Sequence, residues 1–370
     1  MKFSIARNKL LGPLSLVGGV VERRHTLPVL SNLLMVLDQG MLSMTGTDLE
    51  VELVGRVPVD SVDAASDTGE LTAPARKLID ICRSLPEDCD IEFSAAGGKL
   101  EVRSGRSRFT LATLPPADFP NIEDSIGTHQ FRTTPEQLGR LIERTAFSMA
   151  QQDVRYYLNG MLWELSESHL RVVATDGHRL AMCTTSLDLE EGTEARVILP
   201  RKGVQELARL LRDEQNEVAV VLGANHLRVT TEGFTFTSKL VDGRFPDYEK
   251  VLPRAPDKIV QGPRDELRQA LSRAAIVSNE KFHGVVLQLA EGSMKILANN
   301  PEQEEAEVEL SVDYEGDALE IGFNVDYLLD VLSVLSGETV KMSLSDANSR
   351  TLLEEAEDGD SLYVIMPMRL

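Results

Sequence analysis

Apolar residues recur at helical spacing in six stretches of the chain, which form three pairs. In the first member of each pair the stripes are Leu10, Leu14, Val17 and Val21; Leu138, Leu141, Ile142 and Thr145; and Leu267, Ala270, Leu271, Ala274 and Ala275. In the second member they are Leu78, Ile79, Cys82 and Leu85; Val204, Leu207, Ala208 and Leu211; and Val325, Leu328, Leu329 and Leu332. The pattern predicts six amphipathic helices, with Gly12 and Pro13 expected near a helix start.

Between the two helices of each pair, the residues predict strands. Residues 28–55, 158–183 and 283–310 each contain three apolar runs separated by two polar turns. Thr47-Asp48 and Thr175-Asp176 occupy the same turn in two of these stretches. The closing segments are also alike, because Leu114, Phe119 and Pro120 recur as Leu240, Phe245 and Pro246.

The chain therefore consists of three sequence repeats of roughly 125 residues each. Each repeat has two helices packed on antiparallel strands, which makes the predicted fold class α+β. The predicted domain boundaries are 1–125, 129–253 and 257–370. Two such chains would contain six repeats, which could close into a ring with twelve helices around its hole.

Composition places limits on the kind of protein. The 370 residues contain no apolar stretch long enough to span a membrane, and residues 1–12 lack the features of a signal peptide. We therefore expect a cytoplasmic protein. The three cysteines, Cys82, Cys89 and Cys183, form neither a disulfide framework nor a zinc site. No metal or other cofactor is expected.

The net charge of −21 argues, taken alone, against binding nucleic acid. The charge is unevenly distributed, however. Arg103, Arg106 and Arg108 give residues 103–108 a basic character, predicted as one strand, whereas residues 302–309 form an acidic strand. Two such strands could pair head to tail between two chains. The alternative is that both are solvated edge strands whose charges prevent pairing.

Basic residues also lie on the predicted helices, and two interpretations remain open for them. A weakly positive surface could hold DNA through its phosphates without reading sequence. Alternatively, these are ordinary helix surfaces with salt bridges. The residues concerned are Arg76, Lys77, Arg83, Arg140, Arg144, Arg201, Arg209, Arg212, Arg264, Arg268 and Arg273.

One motif invites a catalytic interpretation. Residues 175–179, Thr-Asp-Gly-His-Arg, contain an Asp and a His that could bind a metal or exchange a proton. The first repeat has Thr47-Asp48-Leu49 at the same place without a histidine, so a turn is the more economical interpretation. No phosphate-binding loop or nucleophile elbow occurs. An acidic hydrolase and a protein-only scaffold remain the competing classes.

Several sequence blocks, in order and spread over nearly the whole chain, resemble the bacterial DNA polymerase III β subunit family. They are MAQQDVRYYLNGML, VATDGHRLA, PRKGV, FTSKLVDGRFPDY, SNEKF, NNPEQEEAE, IGFNV and YVIMPMRL. The resemblance implies a head-to-tail homodimeric ring around duplex DNA and a non-catalytic accessory subunit of the polymerase holoenzyme. Its implied partners are the polymerase III catalytic subunit, an ATP-driven clamp loader, and other replication and repair proteins that carry a clamp-binding peptide. No membrane partner is implied.

The resemblance also implies three groups of site residues. The dimer interface is Arg103, Arg106, Arg108, Phe109, Ile276, Val277, Glu302, Glu304, Glu305 and Glu307. The DNA-binding residues are Arg24, Gln152, Tyr156, Tyr157, Arg201 and Lys202. The pocket for client peptides, which carry a glutamine and bulky apolar residues, is Leu158, Thr175, Gly177, His178, Arg179, Leu180, Pro246, Lys250, Val251, Phe282, Asn324, Tyr327, Asn348, Arg350, Val364, Ile365, Met366, Pro367, Met368, Arg369 and Leu370.

Two pocket residues depart from the family pattern. Lys250 stands where arginine is common, and a lysine cannot provide the stacking or forked hydrogen bonds of a guanidinium. Arg350 stands where smaller residues are frequent. Both departures are expected to affect which client peptides bind best. Without the resemblance, at least one of Tyr156 and Tyr157 is expected to be a buried strand aromatic.

Overall fold

The computed structural model describes all residues except 23–26, 63–67, 121, 123–126, 128, 167, 190–192, 254, 255, 358 and 370. Each of the six predicted stripes lies on or at the end of a helix. The helices are α1 (Arg7–Gly18), α2 (Ala75–Ser84), α3 (Pro135–Thr145), α4 (Arg201–Leu211), α5 (Arg264–Ala275) and α6 (Val325–Val334). Val21 and Leu85 lie just beyond the ends of α1 and α2 and are buried nevertheless.

The expectation that Pro13 stands near a helix start was wrong, since it lies in the middle of α1. A proline there removes one hydrogen bond of the helix. The buried side chains of Leu10, Leu14 and Val17 explain why the helix continues, because tertiary packing of an apolar stripe outweighs intrinsic propensity.

The strands follow the repeats. In the first they are β1 (Lys2–Ala6), β2 (Asn32–Asp38), β3 (Met41–Thr47), β4 (Val51–Pro58), β5 (Ser61–Val62), β6 (Gly69–Pro74), β7 (Asp90–Ala96), β8 (Lys99–Ser104) and β9 (Ser107–Ala112). In the second they are β10 (His129–Thr133), β11 (Gly160–Ser166), β12 (His169–Thr175), β13 (Arg179–Ser186), β14 (Glu194–Pro200), β15 (Val218–Leu222), β16 (His226–Thr230) and β17 (Phe234–Lys239). In the third they are β18 (Lys258–Pro263), β19 (Gly284–Ala290), β20 (Ser293–Asn299), β21 (Glu305–Ser311), β22 (Leu319–Asn324), β23 (Thr339–Leu344), β24 (Thr351–Glu355) and β25 (Ser361–Ile365).

The three predicted strand triplets are confirmed as β2-β3-β4, β11-β12-β13 and β19-β20-β21. The chain divides into two compact units, one made of Met1–Pro135 and Gln205–Leu240 and the other of Glu136–Val204 and Val241–Leu370. The first unit holds a sheet of order β5-β1-β7-β8-β9 and one of order β10-β15-β16-β17-β4-β3-β2-β6. The second holds sheets of order β14-β11-β12-β13-β25-β24-β23-β18 and β21-β20-β19-β22.

The two eight-stranded sheets have the same plan, which reflects the sequence repeat. In each, an antiparallel meander pairs on one side with the strand that precedes a helix, β6 or β14. On the other side it pairs with a closing strand, β17 or β25. Helices cover the apolar cores, with α1 against α2, β3 and β4, and α5 against α6, β20 and β21.

The three cysteines are free thiols. Cys82 and Cys183 are buried, and Cys89 is partly buried. Burial raises the pKa of Cys82 to about 12 and that of Cys183 to about 11, so both thiols stay protonated and unreactive at neutral pH. No helix in the described part of the chain is long and apolar enough to cross a membrane.

Candidate functional site

One face of the second unit's eight-stranded sheet is apolar because cross-strand partners carry matching side chains. Leu180 of β13 pairs with Val364 of β25, which pairs with Leu352 of β24. The neighbouring row runs across five strands. Its members are Ile198, Leu162, Val173, Met182 and Leu362. We call these two rows the apolar face.

The segment Val241–Leu252 packs on this face. Phe245 and Tyr248 are buried there, and Val251 and Leu252 are partly buried against the same cluster. The backbone N–H of Val241 donates to the carbonyl of Ile198 at 2.9 Å. The segment thereby forms a wall beside the apolar face, and Pro246 is exposed on that wall.

A buried polar group fixes the wall. The Tyr248 hydroxyl donates to Glu164 Oε2 at 2.8 Å and accepts from Arg171 Nη1 at 3.2 Å. Arg196 donates to the other oxygen of Glu164 at 2.9 Å. Burial raises the pKa of Glu164, but the hydrogen bonds from Arg196 and Tyr248 outweigh it, and the net pKa is lowered. Glu164 is therefore an ionised side chain within the largely apolar strand β11.

Several predicted pocket residues meet at this place. Leu180, Val251 and Val364 belong to one apolar cluster. Met366, Pro367 and Met368, which follow β25, are partly exposed, and the N–H of Met366 donates to the carbonyl of His178 at 2.9 Å. Leu158 is buried at the end of a short 3-10 helix. Ile365 is fully buried in the core on the other side of the sheet.

Residues 175–179 form a turn, as predicted. Asp176 Oδ1 accepts from the N–H groups of His178 at 2.8 Å and Arg179 at 3.0 Å, and the Thr175 hydroxyl donates to the Arg179 carbonyl at 2.6 Å. In the first repeat Asp48 and Thr47 make the corresponding contacts with Glu50 and Val51. Asp176 therefore holds a turn, and among described residues no cluster of His, Cys, Asp and Glu could bind a metal.

Arg179 makes its contacts within the protein. Its side chain is 12% exposed and forms ion pairs with Asp176 and Asp330. Nη2 donates to the carbonyl of Phe147 at 2.7 Å, and the guanidinium lies 4.4 Å from the ring centroid of Tyr327. Arg179 and Tyr327, both predicted for the pocket, therefore support each other. Burial raises the pKa of Tyr327.

The two residues that depart from the family pattern touch each other. Arg350 Nη1 donates to the backbone carbonyl of Lys250 at 2.6 Å, and Lys250 Nζ lies 2.8 Å from Asp247. Arg350 is thus attached to the end of the wall. The lysine side chain points to a carboxylate on its own turn.

The remaining predicted pocket residues lie on turns and helix ends. Asn324 caps α6, because its side chain accepts from the N–H groups of Asp326 and Tyr327. The Asn348 N–H donates to Asp346 at 2.8 Å.

Other predicted pocket residues are exposed. Phe282 is 54% exposed, with the Lys281 ammonium 5.3 Å from its ring centroid. Gly177 has φ +93° and His178 is exposed, as is Arg369. Leu370 lies outside the described residues.

Among the predicted DNA-binding residues, Tyr156 and Tyr157 form a 3-10 helix rather than a strand. The expectation of strand aromatics was wrong, since the chain turns here before β11. Tyr156 is 57% exposed, Tyr157 is partly buried against the apolar cluster, and their ring centroids are 5.8 Å apart. Gln152 is exposed and has φ +53°. Arg24 lies outside the described residues.

The loop that carries Gln152 is held by its own polar groups. Arg155 forms two hydrogen bonds with the Asp153 carboxylate, at 3.0 and 2.8 Å. These bonds and the Arg155 backbone N–H lower the pKa of Asp153 to about 2. Arg201 Nη1 donates to the carbonyl of Met149 at 3.0 Å, and burial lowers the pKa of Arg201. Lys202, beside it at the start of α4, is partly buried.

The basic residues of the first unit lie on a hairpin, so their prediction as one strand was wrong. Arg103 lies next to the last residue of β8, Arg108 lies next to the first residue of β9, and the two are directly opposite. Gly105 has φ +54°, which allows the reversal, with Arg106 beside it in the turn. β9, which also carries the partly buried Phe109, is an edge strand. Glu101 contacts Arg103 and Arg108, each at 2.5 Å, and these contacts lower the pKa of Glu101.

The acidic strand is β21, an edge strand of the second unit, and it begins at Glu305 rather than at residue 302 as predicted. Glu305, Glu307 and Glu309 are exposed, and the residues between them are partly buried. Glu302 and Glu304 lie in the preceding turn and are exposed. Ile276, which directly follows α5, is 81% exposed, whereas Val277 packs against the core. Each unit therefore presents an edge of distinct charge.

The salt-bridge interpretation is favoured for the helix residues that pair with carboxylates, which include Arg264 and Arg268. Arg140 pairs with Asp360 at 2.9 Å, and Arg209 with Glu206 at 2.9 Å. Arg144 cannot contribute to a DNA surface, because its side chain is buried and pairs with Glu355 at 3.1 Å. The DNA-binding interpretation was therefore wrong for Arg144, since a helical pattern does not reveal which neighbours cover a residue.

Sequence reasoning missed Glu164 and Tyr248. A signal for Glu164 exists, because it is the one charged residue in the strand sequence GMLWELS. Nothing comparable identifies Tyr248, whose contacts come from residues distant in sequence.

Comparison with known proteins agrees with this architecture. Models of the DNA polymerase III beta subunit match residues 1–123 (N-terminal domain), 133–247 (central domain) and 249–369 (C-terminal domain). The beta sliding clamps of Pseudomonas putida and Pseudomonas aeruginosa are 61% and 60% identical over 370 residues, which is all of each chain. A crystal structure of the polymerase III subunit beta from Pseudomonas aeruginosa matches with a TM-score of 0.97 and 59% identity over both whole chains. The chain therefore belongs to the DNA polymerase III β subunit family, the bacterial sliding clamps.

Proposed function

We propose that two copies of the chain pair head to tail into a ring that encircles duplex DNA. The observation that carries this proposal is the pair of free sheet edges, β9 with its arginines and β21 with its glutamates. An exposed Ile276 next to the helix that packs on β21 supplies an apolar contact. Opposite charge selects the partner and register, and strand pairing satisfies the edge backbone groups.

The mechanism of this ring is topological. A closed ring does not depend on strong phosphate contacts to stay on DNA, so a net charge of −21 is compatible with the function. Weak, sequence-independent contacts with the DNA would come from Arg24, Gln152, Tyr156, Tyr157, Arg201 and Lys202. An ATP-driven loader would open one interface. The domain boundaries 1–125, 129–253 and 257–370 belong to this proposal.

The apolar face would hold short peptides from client proteins. Leu180, Val364 and the wall residue Val251 supply apolar surface, while Met366 and Met368 offer side chains that adapt to different partners. The clients would be the polymerase III catalytic subunit, the loader, and other replication and repair proteins. Tethering keeps the local concentration of polymerase at the DNA high, which is how a non-catalytic subunit confers processivity.

Replacing Ile276 by aspartate tests the interface. We expect the variant to run as a monomer in analytical ultracentrifugation at micromolar concentration, while the wild type runs as a dimer. The matched control is Ile259→Asp, because Ile259 is also an exposed isoleucine and lies on β18. A wild-type monomer at low salt, or a dimer that survives Ile276→Asp, contradicts the proposed ring.

Replacing Arg24, Gln152 and Tyr157 together separates a DNA clamp from a protein-only scaffold. We expect loading onto DNA to fall while the dimer persists. Unchanged DNA retention would remove these residues from the DNA-binding surface.

A further inference from the structure

The first unit contains a counterpart of the apolar face, and strand register matches the two residue by residue. In the second unit Leu180 pairs with Val364, which pairs with Leu352. In the first unit the corresponding row is Glu52, Thr237 and Arg228. The match is anchored by the equivalent turns, since Glu52 follows the Thr47-Asp48 turn as Leu180 follows the Thr175-Asp176 turn.

The neighbouring row shows the same change of chemistry. Val173, Met182 and Leu362 of the second unit correspond to Thr45, Val54 and Thr235 of the first. Only the valine of the first unit's three is apolar. The position of the row on the sheet is retained, but its apolar character is not.

The covering segment is retained as well. Phe119 and Pro120 stand where Phe245 and Pro246 stand in the second unit, and Phe119 is buried. Between this segment and the strands lies a cavity of about 410 Å³. Its lining includes Glu52, Arg56, Arg228, Thr235 and Thr237. A volume of this size is within the range of ligand pockets, about 300–1,000 Å³.

The polar side chains of this cavity are engaged with one another and with the backbone. Arg56 Nη1 donates to the Thr235 hydroxyl at 2.9 Å, and Arg228 Nε donates to that of Thr237 at 3.3 Å. The N–H of Ile122 points to Glu52 Oε2 at 3.4 Å. Glu52 and Thr237 are buried. The cavity is therefore lined by buried and partly buried polar groups that already have partners within the protein.

An apolar client side chain in this cavity would cover the partly exposed Arg228 side chain and the small exposed part of Glu52 without supplying hydrogen bonds. Covering charged groups with apolar surface costs free energy, because the apolar side chain does not replace their remaining exposure to solvent. We propose that Glu52, Thr237 and Arg228 are specificity determinants that exclude client peptides from this second pocket, so that each chain offers one client site. The inference rests on the proposed client function and adds a reason for its stoichiometry.

The test is to give the first unit the residues of the second. In the variant Glu52→Leu/Thr237→Val/Arg228→Leu, we expect titration calorimetry to find two equivalents of peptide per chain, against one for the wild type. The probe is a short synthetic peptide containing glutamine, leucine and phenylalanine. The control Glu70→Leu/Arg132→Leu also removes one negative and one positive charge, but from β6 and β10 of the same sheet, outside the cavity. This control should still bind one equivalent of peptide per chain.

The converse variant keeps the test decisive if the triple variant fails to fold. Leu352→Arg places the first unit's arginine in the second unit at a partly exposed position. We expect it to weaken peptide binding at least ~10-fold, and Ile259→Arg on β18 to leave binding unchanged. Any of three results would overturn the inference. They are two equivalents of peptide bound per wild-type chain, only one equivalent bound per chain of a folded triple variant, or peptide binding by Leu352→Arg that equals that of the wild type. A wild type that binds no peptide would instead overturn the proposed client function on which the inference rests.

Discussion

At the scale of single residues, the contacts that shape the candidate site come from polar side chains placed where the surroundings are apolar. Glu164 is ionised within an apolar strand because Arg196 and Tyr248 both donate to it. Tyr248 in turn holds the wall formed by Val241–Leu252. The hydroxyl of one tyrosine therefore links a buried charge to the geometry of the proposed peptide site.

Replacing Tyr248 by phenylalanine removes that link. We expect the free energy of unfolding to fall by about 1–3 kcal/mol, because a buried carboxylate loses a hydrogen bond. Urea denaturation followed by fluorescence measures the loss. Tyr156→Phe, at an exposed ring, is the control and should change stability little. Equal stability of the two variants would contradict the role of the Glu164–Tyr248 contact.

Gly177 is the second residue whose identity the geometry requires. Its φ of +93° is one that side chains rarely adopt, and an added Cβ would lie 3.2 Å from the Arg155 guanidinium. We expect Gly177→Ala to destabilise the protein by about 1–2 kcal/mol. In contrast, Gly139→Ala lies in α3 with open space around it and should stabilise by about 0.5–1 kcal/mol. Thermal unfolding of the two variants should therefore shift in opposite directions.

At the scale of elements, the helices and strand triplets could be predicted because their apolar stripes have a fixed period. The reversal at Gly105 and the 3-10 helix at Tyr156 could not, since a one-residue change in backbone conformation decides them. The burial of Arg144 was equally invisible, because Glu355 lies far away in sequence. Pattern therefore predicts elements, whereas contacts between elements decide the roles of particular side chains.

The Arg144–Glu355 pair joins α3 to β24 and should make stability depend on pH. Burial raises the pKa of Glu355, but hydrogen bonds from the Ser336 N–H, the Arg144 guanidinium and the Ser336 hydroxyl lower it to about 2, below its ordinary 4.5. A lowered folded-state pKa contributes stability above pH 4.5 that is lost as pH falls towards 2. We expect Glu355→Gln to reduce the difference in stability between pH 6 and pH 3, as measured by urea unfolding. An unchanged difference would show that the pair does not contribute.

At the scale of the whole molecule, the threefold repeat explains both the architecture and its asymmetry. The two eight-stranded sheets share one plan, but one presents Leu180 where the other presents Glu52. The edges β9 and β21 differ in the same way, one basic and one acidic. Repetition provides similar surfaces, and substitutions on them provide distinct functions.

Salt should weaken the proposed dimer, because its edge charges are exposed. At an ionic strength of about 1 M the screening length falls to about 3 Å, so attraction between the arginines of one copy and the glutamates of the other largely disappears. Sedimentation at low and high salt measures the dissociation constant, which we expect to rise with salt. A constant that falls or stays the same would assign the interface to apolar contacts alone.

The central claim is that the chain holds DNA by encircling it, and retention on circular DNA tests this most directly. The protein is loaded onto a nicked circle with a compatible loader and ATP, and its retention is measured before and after the circle is cut. We predict stable retention on the circle and rapid loss after linearisation, because a ring slides off a free end. Equal retention on both forms after successful loading would mean ordinary affinity for DNA and would contradict the ring.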